Sequence, residues 1–228
     1  MKILVFLFVF SVTASSQILF LSGGADYRFS SASGLDKFAE RYNTTRANIL
    51  TKKMEAPGTF NGWFLNLSGG ISKLSFDIGY SQHSGKMKSE TDPLLTTGGG
   101  TGRNIDLTMN NFWFGTGFNI AVTERFILIF PNFEADILSM SFKTTTNTDS
   151  KEGDFGTIAN AGISMKIIIG IIPGLAISVQ PSYNFSLLDS EFKPIYERTN
   201  TPYDPDTFDT KGSFSGFHLR IGAALYFM

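Results

Sequence analysis

Charged side chains occur in the middle of segments that otherwise alternate between apolar and small polar residues. Carboxylates and cations both take such positions, as Asp26, Arg28 and Arg220 illustrate. A charge in apolar surroundings is costly unless an opposite charge pairs with it, and charge-assisted hydrogen bonds are among the strong ones. The sequence therefore predicts an internal ion-paired network, with Arg220 contacting Asp26, Glu134 or both. Its members are Asp26, Arg28, Asp77, Glu134, Asp136, Lys166 and Arg220.

The two histidines are the residues to consider for catalysis. A hydrolytic site needs a base beside a nucleophile or an activated water. His83 is followed directly by Ser84 and is expected near the outer rim of the structure. Neighbouring residues in a strand point to opposite faces, so these two do not form a nucleophile–base pair. The sequence therefore favours a protein that is not an enzyme and leaves His83 as the residue to test.

Metal and cofactor sites are also disfavoured. Asp204, Asp206 and Asp209 offer oxygen ligands for a hard cation such as calcium, but their spacing does not match the twelve-residue calcium loop. A solvated acidic loop is the better interpretation. The stretch TTGGGTGR (96–103) lacks the Gly-Lys-Ser/Thr ending of a phosphate loop, which favours a flexible connection. Cysteine is absent, which excludes disulfides and thiolate ligands, so no cofactor or metal is predicted.

The elements that must position these residues are short alternating segments. Period-two alternation of apolar residues is typical of strands with two different faces. Eight segments show it, at 18–29, 59–68, 73–83, 105–120, 126–142, 156–169, 175–187 and 217–228.

The apolar phase is irregular in one of these segments. In 105–120 it changes near Asn110–Asn111, which predicts a β-bulge there. In 126–142, Ile127 and Ile129 are predicted to share the apolar face with Phe133.

The connections between the strands alternate in length. Short ones lie near 68–72, 121–125 and 170–174, and long polar ones at 30–58, 84–104, 143–155 and 188–213. All the short turns therefore fall at one end of the strands and all the long loops at the other, an asymmetry typical of outer-membrane barrels.

The first long loop contains one helical pattern. Leu35, Phe38 and Tyr42 follow the spacing of an amphipathic helix, and Ser33 is a candidate cap. A loop of this length needs structure of its own. We therefore favour a folded plug over a lid or a partner-binding helix.

The start of the chain predicts export. Lys2 precedes an apolar stretch at 3–12, and small residues at Ala14 and Ser16 follow it, which predicts a signal peptide at 1–16 and a barrel domain at 17–228. No other segment reaches the roughly 18 uninterrupted apolar residues of a spanning helix. The net charge of −1 offers no field that would attract nucleic acid.

Alternation alone does not say which solvent covers the apolar face, because a soluble ligand-binding barrel has the same period. The polar faces here are rich in Gly, Ser and Asn, which suit a narrow interior. A water-facing surface would carry more Lys and Glu than these strands do. Mid-strand charges of both signs would be costly on lipid but can pair inside a barrel. The membrane interpretation is therefore favoured.

The last strand, FHLRIGAALYF (217–227), carries a resemblance. Together with the eight segments and the asymmetric loops, it resembles the small outer-membrane barrels of the OmpA transmembrane-domain and OmpX type. The resemblance implies an all-β, eight-stranded antiparallel up-and-down transmembrane barrel with a short helix in the first long loop. It also implies the outer membrane of a Gram-negative-type bacterium, reached after signal-peptide cleavage, and recognition of the last strand by the barrel-assembly machinery.

These observations predict a structural or surface-interaction role, with a narrow polar lumen closed by ion pairs. The expected partners are outer-membrane lipid, the assembly machinery and an extracellular ligand at the loops, with the protein a monomer. One alternative is a transporter or pore for small, including apolar, molecules. A second is an outer-membrane lipid-modifying enzyme.

Overall fold

The computed structural model describes residues 17–96, 102–123, 125–147 and 149–227. The predicted signal peptide and most of the glycine-rich stretch after Thr96 lie outside these residues. The elements are β1 (Gln17–Ala32), α1 (Ser33–Thr45), β2 (Leu50–Lys52), β3 (Phe60–Ile71), β4 (Leu74–Thr91), β5 (Arg103–Val122), β6 (Phe126–Thr145), β7 (Ser150–Ile172), β8 (Leu175–Ser186), β9 (Ser190–Glu191), α2 (Lys193–Arg198), β10 (Lys211–Gly212) and β11 (Phe214–Phe227).

The eight long strands form a closed antiparallel ring. Each pairs with its neighbour in sequence order, and β1 pairs with β11 to close the barrel, so Asp26 lies opposite Arg220. The short strand β2 extends the edge of β4, and β9 pairs with β10 in a separate ribbon. All eight predicted strands and the barrel architecture are confirmed.

The half of the barrel nearer the short turns has an apolar exterior, and its interior is mostly polar except for a small apolar cluster near the turns. Trp63 is 48% exposed and Phe133 is 52% exposed on the outer surface. Such a continuous exposed apolar surface marks an interaction with lipid or protein rather than with water. The buried inward-facing residues are mostly small and polar, among them Ser22, Asn66, Ser68, Ser75, Ser81, Asn111, Asn132, Asn160, Ser164, Ser178 and Ser182.

The half nearer the long loops has the opposite arrangement. Here β4 to β7 continue past the ends of β1, β3, β8 and β11, with polar residues such as Lys86, Asp106 and Lys143 outside. Their inner faces belong to one apolar cluster, here called the upper core. It includes Met87, Ile105, Leu107, Met109, Leu138, Met140, Phe142, Phe155 and Phe214.

This exchange of faces corrects the bulge predicted near Asn110–Asn111. The register of β5 with β4 and β6 is continuous there. Met109 faces the upper core and Phe112 faces outward. The alternation of the strand is therefore unbroken, and what changes along it is whether the inner or the outer face is apolar. The phase change in the sequence reflects that change of surroundings.

The pairing of β6 with β7 shifts once in the half nearer the long loops, between Ser139 and Ser141, and the other shifts among the eight long strands lie nearer the short turns. The pairing of β5 with β6 shifts between Gly117 and Ala121, and that of β6 with β7 shifts between Ile129 and Asn132. The latter shift places Ile127 and Ile129 inside the barrel, so the prediction that they share the outer face with Phe133 is wrong. They form the lower cluster, with Phe20, Ile168, Ala176 and Ala224.

Two helices close the loop end of the barrel. The predicted helix is α1, and it buries Leu35, Phe38 and Tyr42 in the upper core. Ser33 does not cap it: the N-cap position is Ala32, and Ser33 Oγ instead accepts a hydrogen bond from the Ser213 backbone N–H at 2.9 Å. The short helix α2 was not predicted and buries Ile195 and Tyr196 in the same core. In the part of the chain that the structure describes, no helix is long and apolar enough to span a membrane.

Candidate functional site

The seven predicted network residues all face the barrel interior. Strand alternation places them there, because each lies on the pleat face opposite the exposed apolar residues. Burial is near complete for every one, namely Asp26, Arg28, Asp77, Glu134, Asp136, Lys166 and Arg220. They divide into two ion-paired groups, while Arg28 and Asp136 lie outside the ion pairs.

Arg220 is the centre of the first group. Its Nη1 donates to Glu134 Oε2 at 3.1 Å and to Oε1 at 3.3 Å, and its Nε donates to Asp26 Oδ2 at 3.4 Å. The guanidinium also lies 3.8 Å from the ring centroid of Trp113. One side chain of β11 therefore connects β1, β5 and β6 across the lumen.

Trp113 was not predicted as an interior residue, because the expected change of phase obscured its orientation. It lies opposite Gly79 in the register of β4 and β5. A Cβ atom at Gly79 would lie 2.2 Å from the Trp113 ring, so glycine makes the space that the indole fills. The sequence feature that could have indicated this is the pairing of a large residue, Trp113, with a glycine, Gly79, on neighbouring strands.

His83 lies inside the first group rather than at the outer rim. Its Nε2 is 3.0 Å from Asp26 Oδ2, and its ring centroid is 6.4 Å from that of His218. The expectation of a rim position is wrong because β4 continues to Thr91. An Asp–His pair is part of many hydrolytic sites, but His83 Nδ1 has no hydrogen-bond partner among the described residues and the ring is buried. This pair therefore has neither a nucleophile on the histidine nor access for a substrate.

The second ion pair joins Lys166 of β7 to Asp77 of β4. Lys166 Nζ also donates to Ser68 Oγ at 2.8 Å. Asn132 Nδ2 donates to the other carboxylate oxygen of Asp77 at 3.0 Å. The carboxylate and the ammonium are therefore both hydrogen-bonded, which offsets the cost of burying them.

Neutral side chains link the two groups. Asn132 Nδ2 donates to Ser164 Oγ at 3.0 Å, and Gln180 Nε2 donates to the same oxygen at 3.1 Å. Gln180 Nε2 also donates to Glu134 Oε1 at 2.6 Å. The interior contacts therefore run without a break from Lys166 to His83. The sequence did not single out these amides and hydroxyls, because similar residues occupy the inward face of every strand.

The remaining two charges lie outside the ion pairs. Arg28 Nε donates to Ser30 Oγ at 3.0 Å, and its guanidinium lies 4.6 Å from the ring centroid of Phe214, at the edge of the upper core. Asp136 accepts a hydrogen bond from Asn184 and has no cation at ion-pair distance among the described residues. Asp136 therefore lacks the ion pairing of the other three interior carboxylates.

The interior at the level of Arg220 is packed. Side chains that line a water-filled channel are accessible to water, whereas Asp26, Arg220 and Trp113 are each 0% exposed. The upper core closes the barrel on one side of this layer and the lower cluster on the other. This geometry suits a closed barrel better than a conducting one.

The carboxylates of the acidic loop, Asp204, Asp206 and Asp209, do not converge on one site. Asp204 accepts hydrogen bonds from the Asp206 backbone N–H at 3.0 Å and from Thr207 Oγ1 at 2.9 Å, and these lower its pKa. Asp209 instead pairs with Lys37 at 2.7 Å, and the hydrogen bond from that ammonium lowers its pKa. Within the described ranges, no group of three or more His, Asp or Glu side chains is arranged to hold a metal ion.

Comparison with solved structures places this geometry among known folds. The major outer membrane protein of Thermus thermophilus has a TM-score of 0.52 at 12% identity, over 92% of this chain and 99% of that one. Neisserial surface protein A has a TM-score of 0.44 at 12% identity, over 94% and 99%. OprG of Pseudomonas aeruginosa has a TM-score of 0.44 at 7% identity, over 92% and 95%. Neither a protein-family model nor a curated protein sequence matches the chain. The chain has the fold of the small outer-membrane β-barrels, as the predicted resemblance implied.

Proposed function

We propose that the protein is a closed outer-membrane barrel that holds a rigid cap at the cell surface for interaction with an external partner. The observation that carries the proposal is the packed interior, in which Arg220 joins Asp26 and Glu134 with no access for water. A barrel closed in this way has no route for solutes. Its functional surface is then its exterior and its loops.

Residence in the outer membrane rests on the apolar exterior. Contact between such a surface and lipid costs no free energy, whereas exposing it to water does. The strands of the apolar half satisfy their backbone hydrogen bonds in a closed ring, as a membrane-spanning segment requires. The predicted signal peptide and the last strand, as a signal for the barrel-assembly machinery, belong to the same proposal.

Orientation follows from the lengths of the connections. Outer-membrane barrels have short turns in the periplasm and longer loops outside. The half of the barrel with the upper core, α1 and α2 then lies outside the cell, and the turns at Ser72, Thr123 and Pro173 lie in the periplasm.

The cap is built as one ordered unit. Lys37 donates to the Lys211 backbone carbonyl at 2.8 Å, besides its ion pair with Asp209. Arg41 Nε donates to the Pro202 carbonyl at 2.9 Å, and Arg46 Nη2 donates to the Thr199 carbonyl at 3.1 Å. The first and last long loops are therefore tied together over the upper core. Ordered loops present a fixed surface, which reduces the entropy lost when a partner binds.

Fractionation combined with surface labelling tests this proposal. Cells that express the full chain are separated into soluble, inner-membrane and outer-membrane fractions, and intact cells are treated with a membrane-impermeant amine reagent. We expect the mature protein in the outer-membrane fraction, with Lys52 and Lys53 labelled in intact cells and Lys73 labelled only after permeabilisation. Recovery as a soluble monomer without detergent would contradict the proposal, and the reverse labelling would contradict the orientation.

A further inference from the structure

We infer that the outer surface of the barrel, just above the apolar band, contacts carbohydrate headgroups of the surrounding lipid rather than lipid phosphates. This inference rests on the proposed residence in the outer membrane. The surface is a belt of uncharged hydroxyl and amide side chains, here called the neutral belt. Its members are the first outward-facing residues beyond the apolar band on each strand, namely Ser31, Asn61, Gln82, Asn110, Ser139, Thr157 and Ser215.

The belt follows directly from the strand pattern. On β4, β5 and β6, the outermost large apolar residues are Tyr80, Phe112 and Ile137, which lie side by side in register. The next outward positions, two residues nearer the long loops on each strand, are Gln82, Asn110 and Ser139. These belt residues are also in register with one another.

The belt continues on the other side of the barrel. On β1 and β11 the apolar band ends at Phe29 and Phe217, and the next outward residues are Ser31 and Ser215, which pair with each other. On β7 the corresponding residue is Thr157. On β3 the residue beyond Trp63 is Asn61, so the belt is present on seven of the eight barrel strands. The eighth, β8, ends at Ser186.

No member of the belt carries a charge. The first cations above it on the outer face are Lys86 and Lys143. Lys86 lies 3.5 Å from Asp106, and Lys143 lies 3.0 Å from Glu152, so both already have carboxylate partners. Phosphate recognition relies on charge-assisted hydrogen bonds from Arg or Lys, and bridging by a divalent cation requires carboxylate oxygens on the protein. The belt residues themselves offer neither, and the exposed carboxylate of Asp154 lies above them, in register with Ser141.

The opposite rim differs. Lys73 and Arg125 are exposed at the short turns, and neither forms an ion pair with any residue that the structure describes. Cations at that rim suit the phosphates of a phospholipid leaflet. The two ends of the membrane-spanning band therefore fit different headgroup chemistries.

Hydroxyl and amide groups pair well with sugar hydroxyls. Each is both a donor and an acceptor, as is a sugar hydroxyl, and none of these groups has a charge to desolvate. Ser139 and Thr157 make no side-chain hydrogen bond with a described residue and face outward, so both are available to a headgroup. The ligand class we infer is a neutral glycolipid headgroup.

Lipid selection from mixed vesicles tests the inference. The mature chain is folded into vesicles of digalactosyldiacylglycerol and phosphatidylcholine with identical acyl chains, and the lipid that remains bound after polymer extraction is quantified. Both lipids have no net charge, so the protein's own charge does not bias the result. We expect the glycolipid to be enriched about threefold over its share of the bilayer, as a single net hydrogen bond at the weak end of its range would give.

Two double variants on the same strand pair locate the effect. Ser139→Lys with Thr157→Lys puts two cations in the belt, at positions that pair across β6 and β7. Thr145→Lys with Ser150→Lys puts two cations on another pair of the same strands, above the charged residues Lys143 and Glu152. We expect the belt variant to lose the glycolipid enrichment and the control variant to keep it.

The outcomes separate this inference from the proposed function. Failure of the wild-type chain to fold into any vesicle would overturn both. Folding with bound lipid at the bilayer ratio would overturn the inference and leave the membrane barrel in place. An equal loss of enrichment in both variants would also overturn it, because the effect would then come from added charge rather than from the belt.

Discussion

Arg220 is the residue on which the interior depends most. Replacing Arg220 with Ala leaves Asp26 and Glu134 buried without their cation. Breaking a buried pair in this way costs about 3–5 kcal/mol. We expect Arg220→Ala to lower the urea midpoint of the folded barrel in lipid vesicles accordingly.

A surface cation provides the control for that change. Lys86 pairs with Asp106 on the outer face, and its side chain is 82% exposed. Exposed pairs contribute at most about 1 kcal/mol. If Arg220→Ala lowered the free energy of unfolding no more than Lys86→Ala does, the Arg220 ion pairs would not stabilise the interior as described.

Asp136 and Glu134 should respond differently to loss of charge. Glu134 accepts from Arg220 and Gln180, whereas Asp136 accepts only from Asn184 among the described side chains. Four carboxylates face three fixed cations among the described interior residues, so one negative charge is in excess. We expect Asp136→Asn to leave stability unchanged or to raise it, and Glu134→Gln to lower it by about 2 kcal/mol. Urea midpoints of the two variants measure this difference. If both variants lost the same amount of stability, Asp136 would have a cationic partner.

The sequence singled out the charged residues of the interior, of which Arg28 and Asp136 lie outside the ion pairs, but not the neutral side chains that link the two groups. Asp77 and Lys166 stood out because a charge in the middle of an apolar strand has few explanations. Asn132, Ser164 and Gln180 did not, because small polar residues fill the inward face of all the strands. Which of them bridge the ion pairs depends on barrel register, and a single sequence does not specify it.

The helix α1 packs its apolar face into the upper core. Phe38 is fully buried and packs edge-on against Tyr196, with ring centroids 5.2 Å apart. Replacing a buried phenylalanine with alanine costs about 3–5 kcal/mol. We expect Phe38→Ala to loosen the cap while the barrel stays folded, so that added protease cuts first within 30–58 or 188–213.

The control for this prediction lies on the exposed face of the same helix. Glu40 is exposed and is not a member of the upper core. Glu40→Ala should leave the cleavage pattern unchanged. If Phe38→Ala unfolded the whole barrel, the cap and the membrane-spanning half would be one cooperative unit, contrary to this account.

At the scale of elements, alternation predicted the strands well and their irregularities poorly. The pattern of β5 suggested a bulge because its apolar residues move from one pleat face to the other near Asn110. The structure shows a regular strand there, since the apolar side of the sheet changes from outside to inside. In β6 the opposite error arose, because a real shift between Ile129 and Asn132 left the sequence pattern undisturbed.

The whole molecule combines two differently solvated parts on one set of strands. One part has its polar residues inside, and the other has its apolar residues inside. The eight strands and the asymmetric loops were readable from the sequence, because each is a local pattern. The height to which β4–β7 continue beyond the membrane band was not, because it depends on how the loops pack over the upper core.

A lumen closed by the Arg220 network does not conduct ions, and planar-bilayer recordings of the unmutated barrel measure this. Purified protein is inserted into a planar lipid bilayer, with insertion verified by antibody or label, and current is recorded beside a general porin as a positive control. Because Asp26, Arg220 and Trp113 leave no space for water, we expect no steady current above that of the bilayer alone. Reproducible current steps from the inserted wild-type protein would contradict the closed lumen and show a conducting pore.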